Sequence, residues 1–361
     1  MALILTEEQK MLKDSAKELL ATKSPVSKMR DLRNSKYTPY DPKLWDEMVS
    51  MGWSALTIPE SYNGLDFGFV GLGQVLEQTG RNLSKSPLVS SILLGTSALR
   101  LSDNEILKAK LFPGIMEGTC KLAFAIQEGI YHQTKLFKTS AVLEDENYTI
   151  NGSKTIVIDG TTADHYIVVC QVNDNLSLFI VDSNSKGITI SKKILMDSGS
   201  YADVTFKNVS VSVENQLNIK LDGRQLLDQI MTIAYAGISA ELLGICKQSF
   251  DITIKYLKER QQFGVIIGTY QALQHRAVIL FSEIELCKSI VLKALQAIDN
   301  NDPEALKYSH LAKAKLCKTT KLVTNEAIQL HGGIGVTDDA DIGFYLKRAR
   351  VAKQLFGDYN Y

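Results

Sequence analysis

Along the first third of the chain, apolar residues recur every three to four positions, the spacing of helices with one buried face. Thr6 stands ahead of Glu7 and Glu8 and caps a helix whose stripe is Leu12, Ala16, Leu19 and Leu20. A second helical segment surrounds Leu44, Trp45 and Met48 and stops at Gly52-Trp53. Others run through residues 71–79 and 89–100, the latter opened by Pro87, while Pro59, Asn63 and Gly64 mark a loop. From about Lys121 the pattern changes to short β-rich runs at 148–150, 155–158, 166–170, 178–181, 188–190, 203–206 and 209–213. Asn151-Gly152, Asp159-Gly160 and Lys186-Gly187 read as the turns between them. After Asp222-Gly223 the helical period returns. Leu226, Ile230, Ile233, Gly237 and Leu242 lie on one long helix reaching Arg260, and three more follow over 271–300, 303–332 and roughly 341–355. The predicted fold is α+β and mainly α. It comprises an N-terminal helical domain (1–119), a small central antiparallel barrel or sandwich (120–222) and a C-terminal four-helix bundle (223–361).

Composition narrows the function. Forty basic and forty acidic residues among 361 cancel, which argues against a nucleic-acid binder working through a general basic field. The cysteines at 120, 170, 246, 287 and 317 form no C-x-x-C pair and read as reduced, buried thiols of a cytoplasmic protein, not as disulfides or a zinc site. His132, His165 and His310 have no metal-ligand spacing. Acidic residues directly after the start exclude a signal or transit peptide, and no run of eighteen apolar residues predicts a membrane span.

Two stretches carry candidate chemistry. In the first, Tyr256 to Gly264, a charged helix end runs into Arg260, with Phe263 expected as a buried aromatic and Gly264 permitting a sharp turn before a helix restarts at Gln271. Such an arginine either grips a phosphate bidentately or is simply solvated at a helix corner. In the second, Gln329 precedes Gly332-Gly333, either a helix C-cap or a surface that lets backbone N–H groups approach a large anion. His331 adjoins the pair as a cap, and His275 is either a bundle histidine or a contact to another chain. Lys347, Arg348 and Arg350 complement a helix dipole or hold a phosphate; Lys28, Arg30, Arg33 and Lys36 read as a solvated basic face.

With R-x-x-F-G ahead of Gln271 and Q-x-x-G-G-x-G from Gln329, the chain resembles the acyl-CoA dehydrogenase family over nearly its whole length. Leu44-Trp45, Gly52-Trp53, Pro59-Glu60, Glu77 with Gly80, Asn151-Gly152-x-Lys154 and Ala163-Asp164 belong to the same likeness. The resemblance implies an FAD enzyme of fatty acid β-oxidation type. It would remove an α-proton and a β-hydride from an acyl-CoA and pass electrons to an electron-transfer flavoprotein or similar acceptor. By position, Arg260 would contact the FAD pyrophosphate across a subunit interface. Phe263 and Gly264 would lie at its adenine side, Gln271 along the cofactor, and Gln329, Gly332 and Gly333 against a neighbouring subunit's dinucleotide.

The family's catalytic glutamate is missing from both of its usual places. Gly357 stands where the loop base would be, and Ala234 where the helix base would be. Substitutes are weak: Glu241 is displaced by about 10 Å along the helix axis, and Asp358 is one residue off and one methylene short. Losing a general base costs roughly 10²–10⁴ in rate. The flavin-facing Lys-x-Trp-Ile-Thr of the family is Lys154-Thr155-Ile156-Val157-Ile158, and of its Thr-Glu-Pro motif only Glu128 survives. The pattern resembles the non-base-bearing subunit of a bacterial heteromeric acyl-CoA dehydrogenase, completing the FAD site of a homologous partner. Open beside it stand a self-sufficient homo-oligomer with Glu241 or Asp358 as base, a flavin-free assembly protein, and a related flavin oxygenase.

Overall fold

In a computed structural model, which describes residues 3–35 and 38–360, the elements come in the expected order: helices, strands, helices. The first helices are α1 (Glu7–Lys23), α2 (Val26–Asn34), α3 (Pro42–Ser50), α4 (Gly68–Asn82), α5 (Ser97–Leu101) and α6 (Glu105–Met116). Thr6 caps α1 as anticipated: its hydroxyl accepts from the Gln9 N–H, and the Gln9 side chain accepts from the Thr6 N–H at 3.0 Å. Asp41 does the same for α3, whose first residue is Pro42. The helix expected over 89–100 is instead a π-helix, Leu88–Thr96, leading into α5. Its nine residues are all buried, so every side of it packs.

The strands β1 (Leu122–Ala125), β2 (Ser140–Glu144), β3 (Asn147–Ile158), β4 (His165–Val172), β5 (Asn175–Asp182), β6 (Ile188–Lys193) and β7 (Tyr201–Ser212) form one seven-stranded sheet. Its order is β1-β4-β2-β3-β7-β6, with β5 paired to β4. Most neighbours are antiparallel, as expected, but β4 runs parallel to β1 and to β2. Asn151-Gly152 is a bulge and not a turn. Gly152, at φ 148°, lies so close to Thr139 that a Cβ would come within 2.6 Å of its Cα, while Asn151 Oδ1 accepts from the Asn208 N–H of β7 at 2.9 Å. The Asn-Gly pair therefore bends a continuous strand instead of reversing it. Tyr148, Val157, Tyr166, Phe179, Val204 and Phe206 are among the buried core of this sheet.

The C-terminal helices are α7 (Gly223–Glu259), α8 (Gln271–Asp299), α9 (Ala305–His331) and α10 (Ile342–Ala352), with the hairpin β8 (Gln261–Gln262) and β9 (Val265–Ile266) between the first two. The fourth helix is shorter than the sequence pattern suggested, at 11 residues. By length and composition α7 could cross a membrane, but its apolar stretch is 94% buried, the mark of a core helix. Two compact units result: Met1–Asp31, Gly73–Ser84 and Tyr235–Tyr361 form one, Leu32–Leu72 and Lys85–Ala234 the other.

Within the first unit, α4 and α7 cross at backbone contact. A Cβ on Gly80 would lie 2.1 Å from the Glu241 carbonyl oxygen, and one on Gly244 would lie 1.9 Å from that of Glu77. Beside the crossing, the buried Glu77 carboxylate accepts from Lys247 Nζ at 2.5 Å and from Lys13 Nζ at 3.2 Å, joining α1, α4 and α7. Arg30 does not belong to a solvated face. Its guanidinium pairs with Asp338 and Asp341 at 3.1 and 2.8 Å and lies 4.6 Å over the Phe344 ring. Arg33 Nε donates to Asn34, Lys28 is exposed, and Lys36 falls outside the described residues.

Candidate functional site

The residues after α7 decide what its C-terminal end presents. β8 and β9 pair antiparallel and leave Phe263 and Gly264 as a two-residue tip, with φ of 54° and 79°. Positive φ at both positions is what a tight hairpin following the strand twist requires. Gly264 adopts it freely; Phe263 does so against the usual preference of a bulky residue. The expectation of a buried Phe263 fails, for it is 90% exposed. A two-residue tip reaches beyond the helix ends, where none of the described residues covers it.

Arg260 stands at the root of this hairpin. Its N–H donates to the Tyr256 carbonyl at 2.8 Å and its own carbonyl accepts from Ile267 at 2.9 Å, so the backbone is pinned from both sides. Its side chain is exposed and has no carboxylate partner among the described residues. Gln271, also exposed, is the first residue of α8. The second motif meets the first through His331. Its Nδ1–H donates to the Ala327 carbonyl at 2.7 Å, and its ring stacks on Tyr256 with centroids 4.4 Å apart. This stack ties the end of α7 to the end of α9, bringing Arg260 and Gly332 to one end of the helices. Gly332 caps α9 with φ 65° and ψ −146°, a conformation nearly restricted to glycine. A Cβ on Gly264, Gly332 or Gly333 would meet no atom of this chain, and Gln329 is exposed on the last turn of α9.

These residues fit the phosphate-bearing end of an FAD. An unpaired guanidinium suits bidentate contact with a phosphate oxygen pair, and open glycine backbone lets N–H groups approach an anion. An exposed aromatic ring offers a flat apolar face to a base.

The sheet presents less for an isoalloxazine ring. Ile156 lies in a second bulge of β3 with φ 52°, rare for a β-branched residue. Asp203 holds that bulge by accepting from Thr155 Oγ1 at 2.6 Å and from the Ile156 N–H at 3.3 Å. The half-buried side chains of Ile156 and Ile158 offer neither a ring nor a hydroxyl. Glu128 is fully engaged: it accepts from the Lys138 and Thr139 N–H groups at 2.6 and 3.0 Å and from Lys154 Nζ at 2.7 Å. Burial raises its pKa, but the pair with the fully buried Lys154, which also sits 4.7 Å over the Phe137 ring, outweighs this and holds the carboxyl below its ordinary range. The glutamate is a stake for the 128–139 segment.

Neither place for a base carries a carboxylate. Ala234 is fully buried in α7, and Gly357 is buried with φ 89° just past α10. Glu241 is 6% exposed and gripped on both oxygens by Arg348, Nε to Oε1 at 2.7 Å and Nη2 to Oε2 at 3.0 Å. A carboxylate so engaged has both oxygens committed, which removes it as a candidate base and gives Arg348 a structural partner. Asp358 accepts from the Asn360 N–H at 2.9 Å and bonds the Gln354 amide at 3.4 Å, folded back on its own loop.

Sequence reasoning passed over Lys313. Its side chain is buried, and its ammonium donates to the Lys353 and Gly357 carbonyls at 2.8 and 2.6 Å and contacts Cys317 Sγ at 3.4 Å. Burial pulls its pKa below the usual lysine value. The signal was present: Ser309, Ala312, Leu316 and Thr320 place Lys313 on the inward stripe of α9.

Comparison with known proteins completes the picture. The chain matches the acyl-CoA dehydrogenase N-terminal domain over residues 6–119, the middle domain over 131–209 and the C-terminal domain over 222–360. It is 25% identical to the caffeyl-CoA reductase-Etf complex subunit CarC of Acetobacterium woodii, over 96% of this chain and 93% of that protein. It is 24% identical to cyclohex-1-ene-1-carbonyl-CoA dehydrogenase of Geobacter metallireducens, covering 98% and 95%. A chain of the ChsE4-ChsE5 complex from Mycobacterium tuberculosis has the same fold, with a TM-score of 0.90 at 20% identity over 100% of this chain and 96% of that one. The chain belongs to the acyl-CoA dehydrogenase family, whose members are FAD-dependent oxidoreductases.

Proposed function

We propose that this chain is the subunit of a heteromeric acyl-CoA dehydrogenase that clamps the FAD of a homologous, glutamate-bearing partner. The observation that carries the reading is an asymmetry. Arg260, Phe263, Gln271 and Gln329 to Gly333 present an open dinucleotide-binding end, while both seats for a proton-abstracting carboxylate hold residues that cannot ionise. Flavin, when bound, accepts the hydride that leaves the β-carbon of the acyl thioester. The work of this chain is binding and orientation. Arg260 would neutralise phosphate charge, backbone N–H groups at Gly332-Gly333 would donate to phosphate oxygens, and Phe263 would offer its ring to the adenine side. The partner supplies the base and the ring pocket, and an electron-transfer flavoprotein or similar acceptor takes the electrons. The ChsE4-ChsE5 complex supports the idea that a chain of this fold can assemble in a two-component complex.

The test is to purify the chain alone and together with candidate homologous partners in the same host, and to measure flavin absorbance and acyl-CoA oxidation. The expected result is little flavin and no turnover alone, with both acquired on co-assembly. Full flavin occupancy and turnover by the lone chain would overturn the reading, as would a colourless complex with every homologous partner. Glu241→Gln in the active complex should leave turnover per folded molecule unchanged.

A further inference from the structure

A second site of another kind lies between α9 and α10. Lys321, Thr324 and Asn325 of α9 face Leu346, Ala349 and Arg350 of α10, and Lys353 and Gln354 close the end, around a cleft of about 320 Å³. That is within the lower range of small-molecule pockets. Among the described residues no acidic one lines it. In a chain with equal numbers of acidic and basic residues, three cations converge here, and none of the three has an ion-pair partner among the described residues.

The neighbouring charged groups are accounted for elsewhere. Asp358 is turned toward Asn360 and the Gln354 amide, Glu326 is paired with Arg276 at 2.6 Å, and Lys318 lies over the Tyr359 ring at 5.9 Å. The helix dipole is a weak explanation for the cations. Lys313, from beneath, already donates to the Lys353 and Gly357 carbonyls at the end of α10, and Lys321 stands within α9, away from its ends. Three cations lining one cleft, with no carboxylate among the described lining residues, make it a place suited to an anion.

We propose that this cleft binds a nucleoside diphosphate. Three cations match the charge of a diphosphate, the Asn325 and Gln354 amides add hydrogen-bonding groups, and Leu346 and Ala349 give an apolar wall for the sugar or base. The site uses no residue of the Arg260 clamp and stands or falls apart from the proposed subunit role.

Calorimetric titration of the full chain tests it, using ADP, inorganic pyrophosphate and adenosine at constant ionic strength. Saturable binding of ADP is expected, with weaker binding of pyrophosphate and none of adenosine. In an Arg260→Gln background, which removes the clamp's own hold on a diphosphate, saturable ADP binding should persist, and Arg350→Gln and Lys321→Gln should each weaken it by about tenfold or more, the effect of losing a charged hydrogen-bond donor. Because Lys321 and Arg350 are exposed, the melting temperature should hold and report an intact fold. Absence of saturable ADP binding would overturn the proposal. So would binding abolished by Arg260→Gln and untouched by Arg350→Gln, which would place the nucleotide at the clamp. Pyrophosphate binding as tightly as ADP would also overturn it, reducing the cleft to a simple anion site.

Discussion

In the proposed clamp, cofactor binding turns on Arg260, and its exposure makes a clean experiment possible. Replacing it by glutamine removes a charged donor without disturbing buried neighbours. In a flavin-loaded complex, FAD affinity should fall by about tenfold or more, read as flavin fluorescence released on dilution, while the melting temperature of the isolated chain stays constant. Arg260 and the glycine pair could be singled out as candidates from sequence because their residue types suit a phosphate and their motifs resemble the family's. Phe263 could not be placed, since sequence does not tell whether the tip of a two-residue hairpin has anything to rest on. Nor could Glu241 be excluded as a base. Its partner Arg348 is 107 residues away in the chain, and only the folded arrangement of α7 and α10 brings them together.

At the scale of elements, the α4–α7 crossing admits no side chain at Gly80 or Gly244. Gly80→Ala and Gly244→Ala should each destabilise the chain by about 1–3 kcal/mol, measured as a shift in the urea midpoint with unchanged slope. The charge cluster beside the crossing gives a pH dependence with a definite sign. Burial raises the pKa of Glu77, but Lys247 and Lys13 outweigh it and hold the carboxyl below its ordinary value of 4.5. A group depressed on folding stabilises above its unfolded pKa and loses that contribution as pH falls through the folded one. Stability should therefore decline below about pH 4.5, and Glu77→Gln should be less stable at neutral pH with a shallower acid decline. The helices of this region were readable from their apolar period and caps, as Thr6 shows for α1. The bulges of β3 were not, because Asn-Gly serves a tight turn and a strand bend equally well, and the choice rests with the partner strand.

For the whole molecule, the unpaired surface is as informative as the core. Val278, Ile279, Phe281 and Leu286 of α8 are each more than half exposed, at 62%, 56%, 52% and 58%, on one broad side of the helix. Leu311 and Leu322 of α9 are also exposed. With Phe263, they form apolar surface that a second chain would cover, in keeping with a clamp that acts across an interface. Phe281→Glu should lower the assembled mass in sedimentation and reduce flavin retention together, leaving the helical content intact. The order of helical, β and helical parts was legible from the change of hydrophobic period alone. The partition into two compact units was not, because joining the N-terminal segment to the last helices depends on contacts such as Arg30 of α2 with Asp341 ahead of α10, which carry no local signature.

Lys313 has a consequence for what a side chain at position 357 would meet. By anchoring the carbonyls of Lys353 and Gly357 it fixes the route of the segment after α10, and along that route Gly357 turns left-handed at φ 89°. A glutamate written into position 357 would inherit a backbone angle that side chains resist and an enclosed setting. Gly357→Glu would thus carry a backbone penalty of about 1–2 kcal/mol. Under the proposed division of labour between subunits, the shape of the chain as well as its spelling would keep a base from returning at this position.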